Sequence, residues 1–154
     1  GSRVDLTIKG TPLGLGEPWF DGIEPAMARA MMSIPAARGV TFGRGFQVVN
    51  MTGLDHNDAW GGTPEEPMPL GEQPDGVLAG LSTTAPIRCS VAFKPPSSIA
   101  SQQVTLNLES GKMEPLTVKG RHDPVLGPRA VAVVEAMAIL VLTDLALRGG
   151  FIDE

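Results

Sequence analysis

KGRHDPVLGPRAVAVVEAMAILVLTDLALRGG, residues 119–150, sets four polar side chains at the mouth of a long apolar segment. Lys119, Arg121, His122 and Asp123 come first, and Pro124 and Pro128 then break the backbone. From about Pro128 to Arg148 the chain is mostly Ala, Val, Met, Ile and Leu on every side, and between Arg129 and Arg148 only Glu135 and Asp144 carry charge. A helix apolar all round is either buried on several sides or spans a membrane. Eight uncharged residues separate Glu135 from Asp144, well short of the ~20 that a span requires. The spacing therefore predicts a helix buried between layers, with sheets on both sides and no membrane. Gly149-Gly150 is the expected stop signal.

Upstream, the pattern alternates between strand and helix. Val4, Leu6 and Ile8 alternate with Asp5, Thr7 and Lys9, the period of a half-buried strand. TPLGLGEP (11–18) is a glycine-rich turn. Phe20, Ile23, Met27, Ala30, Met31 and Ile34 then share one helical face, with Met27, Met31 and Met32 read as core. Pro25 predicts either a kink or a helix that starts close to it. Val40, Phe42, Phe46, Val48 and Val49 suggest one or two strands interrupted by Gly43 and Gly45. Further strands are expected at 87–93 and around Val104, Leu106 and Leu108, with a hairpin turn at 109–112. Between them, residues 52–76 hold six acids and no Lys or Arg, broken throughout by Pro and Gly. This stretch is expected to be a long mobile acidic loop, inside one α+β domain covering 1–154.

Composition narrows the function. The 154 residues are 42% apolar and 19% charged, enough for a packed core. Five Phe, two Trp and no Tyr argue against a base-stacking surface. A formal charge of −5 likewise disfavours a general phosphodiester binder, so no nucleic-acid partner is expected. Cys89 is the only cysteine, which excludes a disulfide framework or a cysteine zinc cluster and suggests a reducing, cytoplasmic setting. The N-terminal residues lack a basic region followed by an apolar run, so no signal peptide is expected.

Cations concentrate between Pro86 and Arg129, where two stretches suit an anion. In FKPPSSI (93–99) a strand exit carries Lys94, two stiffening prolines and the hydroxyls of Ser97 and Ser98 at an expected helical turn. The alternative there is an ordinary strand exit with a serine cap. In GRHDP (120–124) Arg121 offers a planar fork for phosphate or carboxylate, His122 a proton-transfer group, and Asp123 a base or a clamp for the arginine. A salt-bridged turn ahead of a helix is the competing reading. DHND (55–58) has a single His and reads as solvated loop, so no metal is assigned.

Together GLGEP (14–18), AMMSIPAARGVTFGRGF (30–46), AFKPPSSI (92–99) and the 119–144 segment resemble the chorismate synthase family in order and spacing. The resemblance implies a layered β-α-β sandwich, a homotetramer, and a lyase of the shikimate pathway. Its reaction would be the 1,4-elimination of phosphate from 5-enolpyruvylshikimate 3-phosphate to give chorismate. Reduced FMN would be required without net redox change, and NADPH belongs to the same picture. Carried over, Pro35, Ala36, Ala79, Lys94, Pro95, Pro96, Ser97, Ser98 and Arg121 would contact the flavin. Arg121 would also meet the substrate phosphate, and Asp123 would be the catalytic carboxylate near the flavin's reacting nitrogen.

Three departures stand out. Ala79 replaces an expected glycine, Pro96 stands where Thr is common, and the family's N-terminal motifs with their histidines are absent from these residues. The chain thus resembles the C-terminal portion of such an enzyme, a poor catalyst without a complementary N-terminal half. A non-catalytic flavin- or phosphate-binding module and a structural assembly fragment are the alternatives.

Overall fold

A computed structural model describes residues 1–153. Its centre is a three-stranded antiparallel sheet in the order β1-β7-β2, formed by β1 (Ser2–Ile8), β2 (Ala37–Phe42) and β7 (Ile87–Phe93). Alternation decides the faces. Val4, Ile87, Cys89, Val91 and Phe93 are buried against the helices, while Arg3, Asp5, Arg88 and Ser90 line the other face. The register sets Ser2 and Ala37 opposite Phe93, and Ile8 opposite Ile87.

Helix α1 (Ile23–Ser33) and helix α3 (Gly127–Arg148) cover that sheet. The α1 face Ile23, Met27 and Met31 is fully buried, whereas Met32 points outward and leaves the expected core. Pro25 sits in the first turn of α1, where N–H groups lack intrahelical partners and a missing one costs nothing. The Ile23 N–H donates instead to the carbonyl of Gly80 at 3.0 Å. That carbonyl belongs to a small hairpin, β5 (Val77–Leu78) and β6 (Leu81–Ser82), packed at the start of α1.

The C-terminal helix forms as expected, with Gly149 as its cap and Gly150 in the left-handed region. Its burial is one-sided. Ala130, Val134, Ala138 and Leu145 pack inward, while Val131, Val133, Ile139, Leu140 and Leu147 face solvent. Only one sheet layer lies against it among the described residues, so the expected second sheet is not supplied by this chain. By length and composition α3 could cross a membrane. In this domain it packs one face on α1 and β1.

One further expectation is corrected. Residues 46–49 form no strand: Gly43 and Gly45 both take positive φ, turn the chain off the sheet edge, and lead into a 3-10 segment, Gly45–Asn50. Phe46 is consequently 83% exposed. The acidic stretch at 52–76 carries short elements of its own. It holds a short helix, α2 (Gly53–His56), closed by a Thr52–Asp55 capping box, and a hairpin of β3 (Trp60–Gly62) and β4 (Pro67–Pro69). The expected hairpin near residue 110 is present as β8 (Gln103–Asn107) and β9 (Lys112–Leu116).

Candidate functional site

Three separate stretches meet at the Phe93 end of the central sheet. Strand β7 delivers Lys94 there, and β2 starts beside it at Ala37. The Lys94 N–H donates to the carbonyl of Ala36 at 3.0 Å. Ala36 holds a positive φ of 70°, a strained setting for a side chain other than Gly, Asn or Asp. The following PPSS residues form no helical turn. Two consecutive prolines remove two N–H donors and favour extended backbone. Lys94, Pro95, Ser97 and Ser98 are exposed and Pro96 half-buried.

The third stretch is the loop before α3. His122 Nδ1 lies 3.2 Å from the Ser98 hydroxyl, and its Nε2 lies 3.1 Å from the Val118 carbonyl. The imidazole thus joins the two stretches singled out for anion chemistry. Asp123 accepts from Arg129 Nη1 at 2.7 Å and lies 3.7 Å from Arg121. Arg129, on the first turn of α3, is the partner that sequence reasoning missed. It was legible only as one cation among several, because its tie to Asp123 depends on where α3 begins. Arg121 keeps an 82% exposed side chain, leaving its fork open to a ligand.

Ala79 does not join this cluster. It forms the β5–β6 turn, which packs on Gly16 and the start of α1, at the Ile87 end of the sheet. A seven-residue strand separates the two ends by about 20 Å. Two cavities lie elsewhere. One of about 440 Å³ is bounded by His56, Trp60, Asp75 and Thr83, and another of about 440 Å³ lies on the open sheet face around Arg44 and Arg88. Among the described residues the cluster at Lys94 and Asp123 is an open surface, rich in donors.

The family model for chorismate synthase matches residues 1–147. This chain belongs to the chorismate synthase family. Chorismate synthase of Methanosarcina acetivorans is 42% identical over 153 residues, covering 99% of this chain and 42% of that protein. The chorismate synthase of Dehalococcoides mccartyi is 44% identical over 152 residues, covering 99% and 42%. A crystal structure of chorismate synthase superposes with a TM-score of 0.73 at 27% identity, covering 96% of this chain and 37% of that one. The chain spans about two-fifths of the length of the curated chorismate synthases it matches.

Proposed function

We propose that this chain supplies the flavin and substrate-phosphate contacts of a chorismate synthase, which converts 5-enolpyruvylshikimate 3-phosphate to chorismate and phosphate. The observation that supports this reading most is the meeting of Ala36, Lys94–Ser98 and Arg121–Asp123 at one sheet end, in a chain of that family. The donor set fits an anionic flavin. Two exposed cations, two serine hydroxyls and a small alanine at a tight backbone turn offer charge and hydrogen bonds. When bound, reduced FMN would supply electron density to the allylic system.

The side chains of this protein have separable parts in that proposal. Lys94 and Arg121 neutralise the phosphate groups, Arg121 through its planar fork. Pro35, Pro95 and Pro96 stiffen the walls. Asp123, clamped by Arg129, would be the carboxylate that takes up a proton from the flavin. Ala79 is outside the single-chain cluster and would reach a flavin only from another copy in a homo-oligomer.

The test is anaerobic chorismate formation with reduced FMN and 5-enolpyruvylshikimate 3-phosphate. The chain alone is expected to be inactive. Addition of the N-terminal portion of the Methanosarcina acetivorans enzyme is expected to restore turnover, and Asp123→Asn to abolish the restored rate. Turnover by the chain alone would overturn the half-site reading. Association of the two parts without any turnover would favour a non-catalytic flavin-binding module.

A further inference from the structure

We infer that His122 couples anion binding at this surface to the uptake of a proton, by reversing the direction of its hydrogen bond with Ser98. The argument starts from the acceptor on its far side. A carbonyl can only accept, so the 3.1 Å contact to Val118 requires a proton on Nε2 in every state of the ring. The proton that comes and goes is therefore the one on Nδ1. In the neutral ring Nδ1 is an acceptor, and the Ser98 hydroxyl, 3.2 Å away, must donate to it.

That arrangement has a consequence for ligands. While its proton points to the imidazole, the Ser98 oxygen presents only lone pairs to the solvent side, and an incoming anion is repelled rather than bound. Protonation of Nδ1 reverses the bond. The ring then donates to the Ser98 oxygen, the hydroxyl proton is freed, and the serine donates to the anion. One proton moves from solvent onto Nδ1, breaking an O–H bond there and forming Nδ1–H, and no other covalent bond changes. The charged groups on the elements meeting here are Lys94 on the strand exit, Lys119, Arg121 and Asp123 on the loop, and Arg129 on α3. Asp123 is already engaged by the two arginines, so the net surroundings are cationic. His122 is thus a positioning residue, acting on the ligand through Ser98.

The inference rests on the proposed anion site and deepens it. Sulfate separates the two, since it stays a dianion near neutral pH and carries no titration of its own. Calorimetry of sulfate binding in two buffers of different ionisation enthalpy reads the proton count directly. The expected result is uptake of up to about one proton per sulfate near neutral pH, with affinity rising as pH falls. Ser98→Ala should abolish the uptake and weaken sulfate about tenfold, the scale of one hydrogen bond to a charged group. His122→Asn, which keeps a hydrogen-bonding group near the Nδ1 position, should still bind sulfate but with no proton change. Sulfate binding without proton uptake in the unaltered protein overturns the relay and leaves the anion site standing. Uptake that persists in Ser98→Ala assigns the proton elsewhere and also overturns it. No sulfate binding at all removes the anion site and the relay together. Imidazole nitrogen shifts provide a second reading: a neutral ring with Nδ1 protonated would contradict the tautomer.

Discussion

Ala79 and Gly80 are the central residues of a two-residue hairpin loop, with φ of 52° and 90°. That is the type I′ pattern, which favours glycine, asparagine or aspartate at the first position. An alanine there costs roughly 1–2 kcal/mol in the folded state, partly offset by the smaller entropy of its unfolded chain. Ala79→Gly should therefore raise the urea midpoint modestly, by up to about 1 kcal/mol of stability; a lowered midpoint would refute the strain. Gly80 has no such latitude, since a Cβ there would lie 2.4 Å from the Glu17 carbonyl. Glu24 is a second residue whose setting works against it. Burial, reinforced by the Asp75 carboxylate, pushes its carboxyl above the usual value. A raised carboxyl favours the protonated folded state, so stability falls as pH rises from the unfolded value through the folded one. Glu24→Gln should thus stabilise at pH 7 and change little at pH 3, read from paired denaturation midpoints. The Cys89 thiol, raised to about 11 by burial, should resist alkylation at pH 8 until the protein unfolds.

Among the elements, α3 is where pattern and packing part company. Its sequence is apolar on every side, yet only the Ala130, Val134, Ala138 and Leu145 stripe is covered. Burial was thus legible as a tendency, while the number of covering layers was not, because hydrophobicity states what a residue avoids and not what supplies the cover. Two substitutions separate the faces. Met27→Ala on α1, at 0% exposure under α3 and the sheet, should cost about 2–5 kcal/mol. Leu140→Ala, 65% exposed, should stay within about 0.5–1 kcal/mol. Equal losses at the two sites would mean that α3 is covered on both sides. Residues 46–49 make the same point in reverse. Their apolar alternation resembles a strand, but the glycines at 43 and 45 carry the chain away from any partner before a ladder can form.

At the scale of the whole molecule, the exposed stripe of α3 and the open cluster at Asp123 lack a second wall among the described residues. On the proposed reading, the remaining three-fifths of a chorismate synthase covers both. Ile139→Asp with Leu140→Asp should then abolish complementation by an N-terminal portion, while leaving the thermal midpoint of the isolated chain nearly unchanged; restored turnover in that variant would refute the docking role of the stripe. The sequence by itself determined a strand around Val4–Ile8 and another at 87–93, the existence of both long helices, and the family, since period and motif wording are properties of neighbours along the chain. It also placed the candidate chemistry in KPPSS and RHD. Only the tertiary structure decided that these two stretches touch through His122, that Arg129 clamps Asp123, and that Ala79 stands a strand length away. Those are contacts between residues distant in the chain, set by where β7 ends and α3 begins, and no local pattern encodes that distance.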